Sequence, residues 1–100
     1  MKTTFQQFEK APNLLYMAVI DSVKNLAKGD FGAFESPLEA MKKIHHNINT
    51  LLPPGERLHK ELKLTGPQQN PKMPNLHYIN VIWDTKEKVV LLCQLTCETA

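Results

Sequence analysis

The segment from Asn75 to Cys97 constrains the fold more than any other part of the chain. It contains two apolar, β-prone runs, and a charged stretch at residues 84–88 separates them. Two such runs on either side of a polar turn are typical of an antiparallel β-hairpin. The turn lacks the Asn-Gly or Gly signal of a two-residue connection, so we predict a loop of about four or five residues.

Close to its turn, this predicted hairpin is apolar on both faces. Strict alternation places Ile79, Val81 and Trp83 on one face of the first strand. The alternate residues of both strands form the other faces. The candidate contact residues there are Tyr78 and Ile82 on the first strand and Val90 and Leu92 on the second. Either the helices cover this second face, or it contacts another protein or a second copy of the chain in a homodimer through the hairpin.

Two amphipathic segments precede the hairpin and predict helices. The first extends from Leu14 to Lys28, with Asn13 as N-cap and Gly29 as the stop. It buries a stripe at helical spacing that includes Val19.

The second helix begins with the strongest local signal in the sequence. Ser36-Pro37-Leu38-Glu39 is a capping box with proline at the first helical position, and the helix is predicted to end near Leu51, before Pro53-Pro54-Gly55. Its apolar spacing predicts a core-facing stripe of Leu38, Met41, His45, Ile48 and Leu52.

Three other segments have weaker patterns. Thr4 and Gln7 fit a capping box, which predicts a short helix from Phe5 to Lys10, although residues 3–8 also fit a short strand. Residues 57–64 alternate as a half-buried strand would, and this interpretation is favoured over a helical turn. Residues 66–75 contain three prolines and predict an exposed, irregular loop.

These elements define an α+β fold in which two or three N-terminal helices pack on a small antiparallel sheet that ends in the C-terminal β-hairpin. The chain has 100 residues, and this length suits a single domain over residues 1–100. The longest apolar run, Leu14–Ile20, is far shorter than the ~20 residues that span a bilayer. We therefore expect no membrane partner and a cytoplasmic location.

The residues that commonly carry chemistry do not form a recognisable site. His45 and His46 are adjacent in a helix and point about 100° apart, so they do not converge on one metal ion. His59 and His77 would approach each other only if residues 57–64 pair with the hairpin. Cys93 and Cys97 lie in one strand with Cα atoms roughly 13 Å apart, which is too far for a disulfide.

There is also no nucleophile motif and no glycine-rich phosphate loop in the sequence. We therefore predict no catalytic residue, no metal site and no cofactor, and we favour a protein that is not an enzyme.

The charge distribution gives a second hypothesis. The net charge is only +2, but residues 42–72 are basic and contain the single arginine. A possible basic patch comprises Lys42, Lys43, Arg57, Lys60 and Lys63. Because arginine is the preferred side chain for bidentate phosphate and base contacts, a chain with one arginine is a less favoured nucleic-acid binder.

The order of elements is similar to that of bacterial RelE/ParE-type toxins, which are ribonucleases or gyrase poisons on a small α+β fold. The similarity covers two helices, a lysine-rich strand that ends in LKLTG at residues 62–66, a loop and a hairpin. A strand at residues 3–8 would increase it. The resemblance implies a nucleic-acid-directed protein that uses the basic segment at residues 42–72.

The favoured expectation is a different class of protein. A small domain without catalytic motifs, but with apolar residues on both faces of its hairpin, is typical of a regulator or inhibitor that binds another protein. Immunity proteins and antitoxins are examples. The partner would be another protein or a second copy of this chain.

Overall fold

The computed structural model describes residues 1–28, 34–52 and 61–99. The elements follow in the order β1 (Lys2–Gln7), α1 (Leu14–Lys28), α2 (Pro37–Leu51), β2 (Leu62–Asn70), β3 (Met73–Asp84) and β4 (Val89–Glu98). The strands form one antiparallel sheet in the order β1-β4-β3-β2. The two helices pack on this sheet, which confirms the predicted α+β class with its C-terminal hairpin.

Both helices begin where the sequence predicts. The side chain of Asn13 accepts a hydrogen bond from the backbone N–H of Tyr16 at 3.0 Å and caps α1. At α2, the Ser36 hydroxyl accepts from the Glu39 N–H at 3.2 Å, and Pro37 lies in the first turn. The carboxylate of Glu39 in turn accepts from the Glu35 N–H at 3.0 Å.

The buried face of α2 differs from the predicted stripe. Leu38 is 54% exposed and His45 is also exposed, whereas Ala40 and Ile44 are 0% exposed. The helix is rotated so that Ile44 enters the core in place of His45. This arrangement buries a large apolar group and leaves the imidazole in water, where it does not lose hydration.

The prediction of a helix from Phe5 to Lys10 is wrong, because this region contains strand β1. The strand pairs with β4 from Lys2 opposite Glu98 to Gln7 opposite Cys93. A single helical turn close to Pro12 would satisfy few backbone groups, whereas the ladder with β4 pairs them along the whole segment.

The prediction of an irregular loop at residues 66–75 is also wrong. Strand β2 continues to Asn70, and a tight turn at residues 71–72 leads into β3. Proline is tolerated here because β2 is an edge strand and Pro67 falls where the register shifts, between Thr65 and Gln68. Gly66 is required at this shift: its φ is +117°, and an added Cβ would lie 2.4 Å from the carbonyl oxygen of Tyr78.

The predicted hairpin is formed by β3 and β4, and its four-residue connection at residues 85–88 is confirmed. The register shifts by one residue within it. Val81 lies opposite Cys93, but Ile82 lies opposite Leu91, so Leu92 has no partner in the ladder. This β-bulge reverses the alternation of side chains towards the turn.

One hydrophobic core lies between the helices and the sheet. From the sheet it receives Ile79, Val81, Leu92, Cys93, Leu95 and Cys97, all of which are 0% exposed. From α1 and α2 it receives mainly aliphatic side chains, including Val19 and Ile44. Within the described ranges, no helix combines the length and apolar character needed to cross a membrane.

Several predictions lie outside the described residues. They are the helix stop at Gly29, the helix stop at residues 53–55 and the first part of the segment at residues 57–64. The end of that segment, from Leu62 onwards, is strand as predicted.

Candidate functional site

The face of the sheet that points away from the helices is the candidate site, and we call it the open face. Residues directly opposite each other on antiparallel strands share a face, so the ladder pairings identify its members. Two rows of side chains cross all four strands. One row is Thr4, Thr96, Tyr78 and Gln68, and the other is Gln6, Gln94, Asn80 and Thr65.

All eight side chains of these polar rows are uncharged and polar. No described helix or strand packs over them, and their central members on β3 and β4 are partly exposed. Charged residues occur only in the flanking rows, which contain Lys2 and Glu98 at one end and Lys63 and Asp84 at the other. The Lys63 ammonium and the Asp84 carboxylate form an ion pair with each other.

Hydrogen bonds between side chains hold part of this surface in place. The amide of Gln94 donates to the side-chain oxygen of Asn80 at 2.9 Å, across the centre of the sheet. The amide of Asn70 donates to the Tyr78 hydroxyl at 2.7 Å. These contacts restrict the rotamers of the side chains that they join.

The four predicted contact residues divide between the two faces. Tyr78 and Ile82 lie on the open face, where Ile82 is opposite Leu91 and Lys63. Val90 lies opposite Trp83 on the helix side and packs against the core, and Leu92 is 0% exposed within it. The β-bulge causes this division, so Val90 and Leu92 belong to the core rather than to an open contact surface.

The hairpin also cannot offer a free edge, because both of its strands lie in the interior of the sheet. Strand β1 covers the edge of β4, and β2 covers the edge of β3. The free edges of this sheet are therefore those of β1 and β2.

The residues of the predicted basic patch do not share one face where they are described. Lys42 and Lys43 are exposed on α2, on the helix side of the sheet. Lys63 lies opposite Ile82 on the open face and pairs with Asp84. Arg57 and Lys60 lie outside the described residues.

Neither cysteine is poised for nucleophilic chemistry. Cys93 and Cys97 are free thiols buried in the core. Burial raises the pKa of the Cys93 thiol to about 12 and that of Cys97 to about 11, so the reactive thiolate is disfavoured at neutral pH.

The described histidines also form no metal site. His45 and His46 are exposed on α2. His77 is on the helix side of β3, where its Nδ1 atom is buried and has no hydrogen-bond partner among the described residues. No group of three or more potential metal ligands exists within residues 1–28, 34–52 and 61–99, and His59 lies outside them.

An open groove of about 620 Å³ lies between α1 and α2. Asp21, Ser22 and His46 line it, together with Asn47, whose amide donates to the Ser22 hydroxyl at 3.2 Å. Leu26 and Leu51 also line this groove, whose surface is mainly apolar, and its described residues contain no arrangement of a nucleophile with an activating base.

Comparison with known proteins assigns no family to the chain. No family model, curated protein or solved structure matches it.

The sequence pattern predicted the members of the polar rows on β3 and β4 but not those on β1 and β2. The alternation in β3 correctly predicts that Tyr78, Asn80 and Ile82 share a face, and the same holds for Gln94 and Thr96 in β4. Their continuation onto β1 and β2 required the strand at residues 2–7 and the strand through Gly66 and Pro67. Neither strand was the favoured prediction for its segment.

Proposed function

We propose that this chain is a small cytosolic regulator or inhibitor that acts by binding another protein through its open face. The observation that carries the proposal is the pair of polar rows, which cross the whole sheet without a charged side chain. The two buried free thiols fit a reducing compartment such as the cytosol.

The composition of the open face supports protein contact. The centres of protein–protein interfaces are depleted in charged residues and enriched in tyrosine, and charges are found towards the rim. The open face has the same distribution, because Tyr78 and Asn80 are central and the Lys63–Asp84 ion pair lies at one end. Ile82 and Leu91 add an apolar contact beside the polar rows.

The side-chain hydrogen bonds support the same proposal. A polar surface that must reorganise on binding loses affinity through ordering, whereas Asn80 and Tyr78 are already held by Gln94 and Asn70. Tyrosine, asparagine, threonine and glutamine in such a setting give adaptable hydrogen bonds on a rigid base.

Site-specific photocrosslinking tests the proposal. The photoreactive phenylalanine analogue benzoylphenylalanine replaces Tyr78 on the open face in one variant and the exposed His45 on α2 in the matched control. Irradiation in the cells that make the protein should give one discrete protein adduct from position 78 and none from position 45. The adduct should be lost when excess unlabelled protein competes.

A different pattern of adducts would contradict the proposal. If position 45 captures the discrete partner and position 78 does not, the contact surface is on the helices. If the position-78 variant is folded by circular dichroism but gives no adduct, the open face does not bind a protein in those cells.

A second candidate is a nucleic-acid-directed protein, and the order of elements favours it. Strand β1 supplies the strand before the helices that increases the similarity to RelE/ParE-type toxins. Lys42 and Lys43 are exposed cations on α2. If this candidate is correct, RNA or DNA binding should weaken steeply with salt, and replacing both lysines with glutamine should reduce the log–log salt slope by about 2.

A further inference from the structure

The side chain of Asn70 makes two hydrogen bonds whose directions can be assigned. Asn70 ends β2, and its side-chain oxygen accepts a hydrogen bond from the backbone N–H of Lys72 at 2.9 Å. A backbone N–H can only donate, so the atom that it reaches must be the amide oxygen of Asn70 and not the amide nitrogen. The turn at residues 71–72 therefore determines which way the Asn70 amide points.

The nitrogen of the same amide contacts the Tyr78 hydroxyl. The two atoms lie 2.7 Å apart, and an amide nitrogen has protons to donate but cannot accept a hydrogen bond. The phenol oxygen of Tyr78 must therefore accept from Asn70. Its single proton remains available, because no described residue accepts it. Tyr78 is half-buried on the open face, so this proton is directed to water or to a partner.

Asn80 supplies a second free donor two residues further along β3. Its side chain is hydrogen-bonded to the Gln94 amide at 2.9 Å. An amide nitrogen has two N–H groups and Gln94 can occupy at most one of them, so at least one donor of Asn80 remains free in either orientation of the pair. Residues two apart on a strand share a face, so Tyr78 and Asn80 present their donors side by side.

We propose that Asn70 is a positioning residue for recognition, and that the partner places an uncharged oxygen, such as a main-chain carbonyl, against the Tyr78 hydroxyl. This assignment rests on the proposed function, because it names the group that the partner protein brings to the open face. A donor at this point favours an acceptor and rejects a partner surface that presents another donor. The polar rows contain no cation to pair with a carboxylate, so an uncharged acceptor avoids the cost of burying an unpaired charge.

The contact between Asn70 and Tyr78 can be measured on the protein alone. In a nitrogen–proton correlation spectrum, the side-chain amide resonances of Asn70 should shift in Tyr78→Phe, because the hydroxyl that accepts from this amide is lost. The side-chain amide of Asn49, which is exposed on α2, should keep its position. Unchanged Asn70 resonances in a folded Tyr78→Phe protein would overturn the proposal.

Asn70→Asp reverses the hydrogen bond to Tyr78 without removing it. A carboxylate has only acceptors, so one oxygen still accepts from the Lys72 N–H while the other takes the Tyr78 proton. Tyr78 then presents only lone pairs to the partner. Asn49→Asp makes the same substitution on α2, away from the open face, and is the matched control. Circular dichroism should show both variants folded.

Calorimetric titration with the protein identified from the position-78 adduct measures the effect on binding. Tyr78→Phe and Asn70→Asp should each raise the Kd about fivefold or more, as the loss of one hydrogen bond requires, and Asn49→Asp should leave it unchanged. In the Tyr78→Phe background, Asn70→Asp should have little further effect, because Asn70 acts through the hydroxyl. The losses should be equal at about 0.1 M and about 0.5 M salt, since salt screens charges and not a neutral hydrogen bond.

The failure of this proposal can be distinguished from the failure of the proposed function. A partner that is captured at position 78 but binds Tyr78→Phe or Asn70→Asp with unchanged Kd overturns the proposal and leaves the proposed function intact. An Asn70→Asp loss that persists in the Tyr78→Phe background, or that disappears at high salt, is a charge effect and also overturns it. If position 78 of a folded variant gives no adduct, the proposed function fails, and the assignment of the partner's oxygen fails with it.

Discussion

The two faces of the sheet are built from alternate residues of the same four strands, yet they differ in almost every physical property. On the helix side, Leu95 lies between Phe5 and Ile79, and all three pack in the core. One residue further along β4, Thr96 lies between Thr4 and Tyr78 on the open face. Burial therefore changes from complete to partial over a single peptide unit.

In this chain of 100 residues, the face that stabilises the fold is therefore separate from the face that we propose for recognition. The helix side concentrates the apolar area whose removal from water stabilises the fold. The open face removes little apolar area from water, so the stability of the fold does not determine its side chains. They are available for contacts with the proposed partner. Substitutions on the two faces should consequently have different effects, and the following predictions test that difference.

The largest difference is expected between two neighbouring residues of β4. Leu95→Ala should lower the free energy of unfolding by about 2–5 kcal/mol, because the side chain is 0% exposed and its loss leaves a cavity. Thr96→Ala should cost less than about 1 kcal/mol. Urea unfolding of both variants measures the contrast, and equal losses would show that the open face is also part of a core.

The second-largest effect on the free energy of unfolding is expected where the register of β2 is set. This register determines which β2 residues join the polar rows. Gly66→Ala places a Cβ 2.4 Å from the backbone oxygen of Tyr78 at a φ of +117°. We expect a loss of about 2 kcal/mol or more, since such backbone strain alone costs about 1–3 kcal/mol. Gln68→Ala, two residues away and exposed, is the control that should be nearly neutral in the same unfolding experiment.

Alkaline pH should weaken the helix side through its buried acids. Burial raises the pKa of Cys93 from 9.0 to about 12 and that of Cys97 from 9.0 to about 11. Burial, followed by the nearby Glu61 carboxylate, raises the pKa of Tyr16 from 10.0 to about 12. The folded state therefore holds protons that the unfolded state releases, and stability should fall as the pH rises above about 9.

Each thiol contributes a slope of up to about 1.4 kcal/mol per pH unit in this range. Unfolding free energies measured from pH 7 to 10 test the sign, and Cys93→Ala is the matched variant whose slope should be shallower. A free energy of unfolding that is constant or rises with pH would show that these thiols are not buried in the folded protein.

The sequence predicted the helices well and the sheet only in part. Helix signals are local, and the capping of α1 by Asn13 and of α2 by Ser36 acts within three residues. The hairpin was predictable because its two strands are adjacent in sequence. Strand β1 was not, because its partner β4 is about ninety residues away and only that pairing makes residues 2–7 extended.

The sequence pattern placed Tyr78, Ile82, Val90 and Leu92 on one face of the hairpin, whereas in the structure only Tyr78 and Ile82 lie on the open face. The cause is the β-bulge at Leu92, which shifts every residue between it and the turn to the other face. Residues 89–92 are all apolar, so they show no alternation of polar and apolar residues from which the shift could be recognised. No glycine or proline marks the position either.

Paired asparagine substitutions test most directly whether a partner protein binds the open face. Asn80→Lys adds a charge to the centre of the polar rows, and Asn49→Lys adds the same charge to the exposed surface of α2. The partner is the protein identified from the position-78 adduct, purified for calorimetric titration. Its Kd should be at least about tenfold higher for Asn80→Lys and unchanged for Asn49→Lys. Equal affinities for the two folded variants, or a loss with Asn49→Lys alone, would contradict the claim.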